Sequence, residues 1–414
     1  MSVADAAWRH VPVRLDVERW ATRQVRRKVL AVVHTVVSGR RVMEAVRLLE
    51  GDLRVQVVFT AAPDVFSHGV AEFLDGLGGV VLPWQQAVEI EFDLAIAAAH
   101  GDIHELHAPV IVLPHGAGHN KLLPDGRRGL AATREVYGLN RQWLVRDGVV
   151  VPDTIVLSHK EDLARLAREC PEALPAARVI GDPAYDRMMA SLPGRALYRA
   201  ALGVGPRQRL VVVISTWGPR SLLGQTPDVL EKLMAELPRD EYRVAAMLHP
   251  HVWNAHGEWQ VRAWLADLCR AGLLLVSQHA DELGPLVAAD YVVCDHGSMA
   301  LYGAASGAPV LMGSYPAADV SPDSPVAELS SFALRLNCER PIRKQLDRSS
   351  AGYDAERYGR VAARITSEPG RFTRRMRALL YRKLRLRPPV AGWVTEPARL
   401  PFTVGPDRSG DVVA

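Results

Sequence analysis

The stretch AADYVVCDHGSMALYGAASGAPVLM, residues 288–312, decides the fold of this chain. Its run 291–294 is short, apolar and rich in valine, which predicts a strand buried on both faces. A helix with small residues begins near Ser298, and Gly307-Ala308-Pro309 ends it before a second apolar run at 310–312. The stretch therefore predicts a strand, a polar loop, a helix and a second strand.

The polar loop of this unit consists of Asp295, His296, Gly297 and Ser298. Free backbone N–H groups in such a loop, together with the dipole of the following helix, favour a bound phosphate. In open α/β sheets, ligands bind at the carboxyl ends of the strands. We therefore expect these four residues to bind a nucleotide, and the alternative is an ordinary strand-to-helix connection.

The rest of the chain repeats this alternation of strands and helices, which predicts doubly wound parallel sheets. The pattern restarts at Arg209, and a chain of 414 residues exceeds the length at which single cores stop growing. We expect an α/β fold of two tandem Rossmann-like, doubly wound domains that face each other across a cleft. The expected strands of the first domain are 29–37, 55–60, 80–83, 94–99, 110–113 and 154–157.

This organisation divides the chain into five expected segments. The first Rossmann-like domain would bind an acceptor and the second a nucleotide donor. The last residues contain Pro and Gly without periodicity, which predicts an extended or disordered tail. The segments are a basic extension (1–28), the first domain (29–190), the second domain (191–345), basic C-terminal helices (346–387) and the tail (388–414).

Composition limits the class of protein. No apolar run approaches the roughly 20 residues of a membrane span, and the N-terminus has no secretory pattern, so we expect a cytoplasmic protein. The four cysteines lie far apart without metal-ligand spacing, and neither a metal site nor a cofactor is expected. A net charge of +4 is too small for this length to indicate nucleic acid.

Positive charge is nevertheless concentrated near both ends of the chain. Arg23, Arg26, Arg27 and Lys28 precede the first strand, and the segment 371–387 holds eight basic residues and no acidic one. Leucines interleave with these charges, as in a basic helix that lies on an anionic membrane surface. The alternative is a C-terminal helix that packs back across both domains.

Two sites in the first half could carry chemistry. The expected strand 110–113 runs into a Gly-rich loop with His115, Gly116 and Lys121. Imidazole, with an unperturbed pKa of roughly 6.5, suits His115 to take a proton from an attacking hydroxyl, and Lys121 could pair with a phosphate. Ser38 and Gly39, after the first strand, would form an acceptor or phosphate loop, although they lack the G-x-G-x-x-G fingerprint.

The second half offers further candidates at strand ends. Pro250 stops strand pairing directly after His249, so the imidazole of His249 lies at the sheet's end and could donate to a phosphate oxygen. Thr216, Trp217 and Arg220 follow the strand that starts at Arg209 and could supply a hydroxyl, a stacking surface and a cation for a nucleotide. The alternative for His249 is a structural histidine before a rigid turn.

The order of these motifs resembles the CDP-glycerol glycerophosphotransferases of teichoic acid synthesis, which have the two-Rossmann GT-B fold. The resemblance lies in the His-Gly at 115–116, the His-Pro at 249–250 and the Asp-His-Gly-Ser at 295–298. The family has Asp-Tyr-Ser-Ser at the last motif, so Gly297 replaces one hydroxyl. Pro114 replaces the usual aromatic residue before His-Gly, and the Arg that the family has shortly after His-Pro is missing.

The resemblance implies transfer of glycerol phosphate, or a related group, from a CDP-activated donor to a hydroxyl acceptor. His115 would be the catalytic base, His249 would contact the transferred phosphate, and Ser298 would help to bind the diphosphate. The alternatives are a nucleotide-sugar glycosyltransferase or UDP-sugar 2-epimerase, and a non-catalytic nucleotide-binding protein. The expected partners are the nucleotide-activated donor, an unknown hydroxyl acceptor and an anionic membrane surface, without nucleic acid.

Overall fold

A computed structural model describes residues 22–122, 135–390 and 392–405 of the chain. The chain divides into two compact units, each built from separate segments. The first unit takes the described residues within Met1–His115, Tyr137–Pro183 and Ser367–Val394. The second takes those within Gly116–Val136, Ala184–Thr366 and Thr395–Ala414.

The first unit is built on a seven-stranded sheet whose paired strands all run parallel, in the order β3-β2-β1-β4-β5-β8-β9. Its central strands are apolar and buried, as a sheet covered on both faces requires. A separate antiparallel hairpin pairs β6 with β7. The strands and helices are β1 Arg27–Val33, α1 Val36–Val46, β2 Val55–Ala61, α2 Val70–Leu77, β3 Val81–Leu82, α3 Trp84–Ala87, β4 Leu94–Ala97, β5 Val110–Val112, α4 Arg141–Leu144, β6 Val145–Arg146, β7 Val149–Val150, β8 Thr154–Leu157, α5 Glu161–Glu169 and β9 Ala177–Val179.

The second unit repeats this design with a six-stranded parallel sheet in the order β12-β11-β10-β13-β14-β15. The strand and helix expected within 288–312 are present at 291–294 and 299–305. The elements are α6 Pro183–Ser191, α7 Arg195–Ala201, β10 Arg209–Ser215, α8 Leu222–Gln225, α9 Val229–Glu236, β11 Tyr242–Leu248, α10 Pro250–His256, α11 Glu258–Trp264, α12 Ala266–Arg270, β12 Leu274–Leu275, α13 Leu283–Ala288, β13 Tyr291–Cys294, α14 Met299–Ala305, β14 Val310–Met312, α15 Pro325–Phe332, β15 Leu334–Arg335, α16 Ile342–Ala351 and α17 Ala355–Ala363. The last helix, α18 Phe372–Lys383, belongs to the first unit.

The end of β1 differs from the sequence prediction. The strand stops at Val33 instead of continuing to residue 37, because Thr35 caps α1 in a capping box with Ser38. Ser38 and Gly39 therefore lie in the first turn of α1 instead of in a loop after β1. A Cβ at Gly39 would come within 2.6 Å of the Phe73 ring, so this glycine allows α1 to pack closely.

The segment boundaries also differ from the prediction. The division falls between Pro183 and Ala184, at the start of α6, where the sequence analysis placed it after residue 190. The expected C-terminal segment 346–387 is not a single body, because α16 and α17 belong to the second unit and α18 to the first. Most of the expected N-terminal extension, residues 1–21, lies outside the described residues.

Helix α18 completes the core of the first unit. Its apolar side chains Met376, Leu379, Leu380 and Leu384 pack with the residues of β1, β4 and α1 and are at most 1% exposed. The leucines that a membrane-bound helix would insert into lipid are therefore buried in protein. The exposed residues of the helix and of the segment after it include Arg374, Arg382, Arg385 and Arg387.

The described part of the tail from residue 395 to 405 belongs to the second unit and makes specific contacts there. The Tyr198 hydroxyl donates to the Ala398 carbonyl at 2.6 Å, and Thr403 forms an antiparallel bridge with Val276. The tail therefore covers the β12 edge of the second unit's sheet. Residues 406–414 of the expected tail lie outside the described residues.

Among the described helices, none is both long enough and apolar enough to span a membrane.

Candidate functional site

Asp295 organises the carboxyl edge of the second unit's sheet. It follows β13 directly and is 1% exposed. Its Oδ2 accepts hydrogen bonds from the Thr216 N–H and hydroxyl, each at 2.7 Å, and from the Leu222 N–H at 3.0 Å. Its Oδ1 accepts from the Gly297 N–H at 3.2 Å. The carboxylate thus fixes two loops, and its role is to position them.

Gly297 is required by the close approach of Thr216. A Cβ at Gly297 would lie 2.6 Å from the Thr216 methyl carbon, which is closer than real Cβ contacts. Because the hydroxyl of Thr216 is bonded to Asp295, the methyl group is held toward the glycine. The glycine at position 297 is therefore explained by its packing partner.

His296 is a buried and electrically neutral part of this edge. It is 8% exposed, and its Nδ1 has no hydrogen-bond partner among the described residues. Burial lowers its pKa from the ordinary value, the charges of Asp295 and Asp319 oppose this, and those of Lys121 and Arg220 add to it. The imidazole is therefore uncharged at neutral pH and contributes polarity without charge.

Two cations stand at the same edge. Arg220 forms an ion pair with Asp319. The next residue, Val320, forms a β-bridge with Lys121. Although Lys121 is accessible to solvent, protein atoms surround its ammonium group on many sides, and this desolvation lowers its pKa against the opposing charges of Asp295 and Asp319. Since solvent access limits that desolvation, we expect the ammonium to remain charged at neutral pH. The edge thus offers positive charge beside the Asp295 loops.

Gly116 brings the Gly-rich loop against the start of α14. A Cβ at Gly116 would lie 2.8 Å from the Ser298 hydroxyl oxygen. Ser298 itself is partly exposed and caps α14 without a side-chain hydrogen bond of its own to that helix. The second unit therefore brings together Gly116, Lys121, Thr216, Arg220 and the loop 295–298. That these residues bind a nucleotide stays a prediction from the sequence.

His249 and Trp217 follow the neighbouring strands β11 and β10. The Nδ1 of His249 accepts a hydrogen bond from the His251 N–H at 3.1 Å, which caps α10. In a neutral imidazole the proton then resides on Nε2, so that atom is a donor. Trp217 packs on the His251 ring with 4.6 Å between ring centroids. His249 thus has both a structural role and a donor suited to a phosphate oxygen.

His115 belongs to the first unit and lies at the carboxyl end of the sheet. It follows β5 and is exposed. Its ring meets the Tyr137 ring edge-on, with 6.0 Å between centroids. Its carbonyl oxygen accepts a hydrogen bond from the Arg41 Nε at 3.4 Å. His115 is one peptide bond from Gly116, and neither Ser38 nor Gly39 contributes a free polar group beside it.

Several residues of these edges escaped the sequence analysis. Tyr137 follows a stretch without periodicity, and Asp319 lies in a short turn after β14, so neither is marked by a motif. Arg41 lies on an amphipathic helix, where an arginine is usually solvated. Its burial beside Asp182 at 3.9 Å depends on tertiary packing. His34, 0% exposed at the end of β1, has a Nδ1 without a hydrogen-bond partner in the described part of the chain.

Within the described residues, no group of three or more His, Cys, Asp or Glu side chains is arranged to hold a metal ion.

Comparison with known proteins gives a fold but no sequence family. No family model matches the chain, and no curated protein matches it by sequence. A histidine variant of the wall teichoic acid polymerase TagF soaked with CDPG is 12% identical, with 89% of this chain and 92% of that chain covered and a TM-score of 0.55. The TagF structure without that change is also 12% identical, with 87% and 89% covered and a TM-score of 0.53.

Anabaena HepE in complex with UDP and glucose is 13% identical, with 87% and 99% covered. Its TM-score of 0.46 is too low to support an inference. The TagF comparisons extend over most of both chains, and they agree with the two parallel sheets described above. This chain therefore has the two-Rossmann, GT-B type fold of the wall teichoic acid polymerase TagF.

Proposed function

We propose that this chain is a transferase that moves glycerol phosphate, or a closely related group, from a CDP-activated donor to a hydroxyl acceptor. The fold it shares with a wall teichoic acid polymerase soaked with CDPG supports this proposal. The motif resemblance at 115–116, 249–250 and 295–298 supports the same reaction class. A cytoplasmic location and contact with an anionic membrane surface remain expectations from the sequence.

The observation that carries the proposal is the group of Lys121, Arg220 and the Asp295 loops at the carboxyl edge of the second unit's sheet, called the charged edge below. Lys121 and Arg220 place two cations beside loops that Asp295 fixes through four hydrogen bonds. A diphosphate needs fixed positive charge and donors more than it needs covalent chemistry from the protein. Asp319 now pairs with Arg220, and an incoming diphosphate would compete for that cation.

The donor's phosphates would bind with Ser298 and His249 as hydrogen-bond donors. The Nδ1 of His249 is engaged by the His251 N–H, so its Nε2 can donate to a non-bridging oxygen of the transferred phosphate. Trp217, packed on His251, would provide an aromatic surface for the cytosine base. This assignment keeps the roles that the sequence analysis gave to these residues.

The reaction would be an in-line displacement at phosphorus. The acceptor hydroxyl oxygen forms a bond to the phosphorus that carries the glycerol, and the bond from that phosphorus to the bridging oxygen breaks. CMP leaves with the electron pair of that bond. His115 takes the proton of the attacking hydroxyl as a general base. The protein would contribute mainly positioning and neutralisation of charge.

The test is the variant His115→Ala, with His107→Ala as a matched control because His107 is exposed and also belongs to the first unit. We expect turnover, measured as CMP release from CDP-glycerol with a hydroxyl acceptor, to fall by roughly 10²- to 10⁴-fold in His115→Ala. Cytidine nucleotide binding, measured by calorimetry, should be unchanged, and the control should be fully active.

Other outcomes decide between the remaining functions. Full activity of His115→Ala would remove His115 from the mechanism. Sustained UDP release from a UDP-sugar, without CMP release from CDP-glycerol, would replace the proposal with sugar transfer. Tight nucleotide binding without turnover of either donor would identify a non-catalytic nucleotide-binding protein.

A further inference from the structure

In the first unit, the ring of His115 contacts the ring of Tyr137, the residue at which the chain re-enters that unit. The chain leaves the first unit after His115 and returns at Tyr137. The two rings meet edge-on, with 6.0 Å between centroids and 75° between planes. The described residues between them, 116–122 and 135–136, belong to the second unit, and they include Gly116 and Lys121. Among the described residues, this ring contact joins the two positions in the first unit that flank the segment.

Tyr137 is itself held in place by a second ring. Trp143, in α4, meets the Tyr137 ring at a centroid distance of 5.5 Å and an angle of 64°. Trp143 in turn lies 6.2 Å from the His100 ring, which follows β4. The four rings form a continuous row that begins near the sheet and ends at His115. Tyr137 thus contacts Trp143 with its ring as well as His115.

The backbone of His115 is fixed independently of its ring. Arg41, buried in α1, donates from Nε to the His115 carbonyl oxygen at 3.4 Å. The same guanidinium lies 3.9 Å from the carboxylate of Asp182, which is 1% exposed. The direction of the imidazole ring is then set by the two side-chain torsions of His115. The ring of Tyr137 is the described aromatic contact that restricts them.

We propose that Tyr137 is a positioning residue that selects the rotamer in which His115 acts as the base. The proposal rests on the function proposed above. Burial raises the pKa of Tyr137, so its phenol is neutral at neutral pH and acts through its ring. An edge-on aromatic contact shifts a rotamer equilibrium by about 2- to 10-fold. A base displaced from its acceptor hydroxyl reduces turnover without changing how the donor binds.

The kinetic test compares Tyr137→Leu with Tyr137→Phe, which keeps the ring and removes the hydroxyl. We expect Tyr137→Leu to lower kcat by about 2- to 10-fold, with the Kd for cytidine nucleotides unchanged. Tyr137→Phe should retain wild-type kcat. In a His115→Ala background, Tyr137→Leu should have no further effect, because the residue acts through His115. An equal loss in both backgrounds would assign Tyr137 a purely structural role and overturn the proposal.

A spectroscopic test separates this proposal from the proposed reaction. The His115 ring protons, assigned by their loss in His115→Ala, lie at the edge of the Tyr137 ring and should carry its ring-current shift in NMR spectra of the full chain. We expect that shift to be lost in Tyr137→Leu and kept in Tyr137→Phe. Unchanged His115 resonances in Tyr137→Leu would overturn the contact even in an active transferase. If no donor is turned over, the resonances still decide the positioning.

Discussion

The two units have the same strand order at the centre of their sheets. They differ in the side chain that joins the carboxyl ends of the central strands, which is a histidine in the first unit and an aspartate in the second. In the first, β1 lies between β2 and β4, and in the second, β10 lies between β11 and β13. After β1, the His34 Nε2 donates to the Gly101 carbonyl, beyond β4, at 2.7 Å. After β10, the Thr216 N–H donates to the Asp295 carboxylate, beyond β13, also at 2.7 Å. Equivalent strand ends are thus joined in both units.

The two joining side chains, His34 and Asp295, differ in charge and in the exposure of the residues around them. In the first unit a neutral imidazole is sealed at 0% exposure, and Thr35 starts α1 directly after it. In the second unit a carboxylate holds the loop 216–221 open between β10 and α8, with Lys121 and Arg220 beside it. In these two units, the side chains directly after the strands therefore determine the character of the sheet's carboxyl edge. The first edge, at His34, is buried and neutral and is called the sealed edge. The second, at Asp295, Lys121 and Arg220, is the charged edge.

The largest effect is expected from removing the charge of Asp295. In Asp295→Asn the amide keeps one acceptor oxygen, and its NH₂ group faces backbone N–H donors. Since hydrogen bonds to a charged group contribute about 1.5–3 kcal/mol each, we expect a loss of at least about 3 kcal/mol in the free energy of unfolding. Urea denaturation measures this loss, and cytidine nucleotide binding should be lost with it.

The exposed Asp240 in the same unit provides the matched control, and Asp240→Asn should behave like the wild-type protein. Wild-type stability and nucleotide binding in Asp295→Asn would show that the two loops are held by something other than the carboxylate. The comparison between the units would then fail at its central contact.

A smaller effect is expected where the charged edge is tightly packed. In Gly297→Ser the new Cβ would meet the Thr216 methyl carbon at 2.6 Å. Such overpacking should cost about 1–3 kcal/mol of unfolding free energy. Thr216→Ser removes that methyl group and keeps the hydroxyl that bonds Asp295, so the double variant should recover most of the loss. Denaturation of the two single variants and the double variant forms a cycle, and simple additivity would contradict this packing.

The smallest effect concerns the sealed edge and depends on pH. Burial lowers the pKa of His34, while the Gly101 carbonyl, Asp64 and Asp102 oppose this. Because the folded-state pKa lies below the unfolded value of about 6.5, the stability contribution is complete above that pH and is lost as the pH falls toward the folded value. The free energy of unfolding should then decrease with acidification, by at most about 1.4 kcal/mol per pH unit from this one group.

His34→Gln removes the titration and retains an amide donor toward Gly101. Denaturation midpoints between pH 7 and 5 should therefore fall less steeply in this variant than in the wild-type protein. His296, whose pKa is also lowered by burial, contributes to the slope that remains. Parallel pH profiles for the wild type and His34→Gln would show that the first edge contributes no buried neutral histidine.

Much of this architecture could be predicted from the sequence because its signals are local. The run 291–294 is flanked by breakers and apolar throughout, and it forms a strand with those bounds. The strand at 154–157 was predicted with its observed bounds for the same reason. Small residues after Ser298 predicted the helix α14. These elements need only neighbouring residues to specify them.

The remaining features depend on contacts between distant parts of the chain. The end of β1 was predicted four residues too late, since the apolar run continues through Val36 and Val37, and the Thr35 cap outweighs it. The docked tail depends on Tyr198 and Val276, which no local pattern connects with it. The role of Asp295 as an anchor appears only when Thr216 and Leu222 are placed beside it.

The placement of α18 has a consequence for biosynthesis. The first unit's core includes Phe372, Met376 and Leu380, although its sheet is complete at Val179. On a translating ribosome, α18 emerges only after almost the whole of the second unit has been synthesised. Until then it cannot pack on the face of that sheet. The apolar face of the first unit's sheet therefore stays exposed while the second unit is synthesised. It is buried only when α18 has been made.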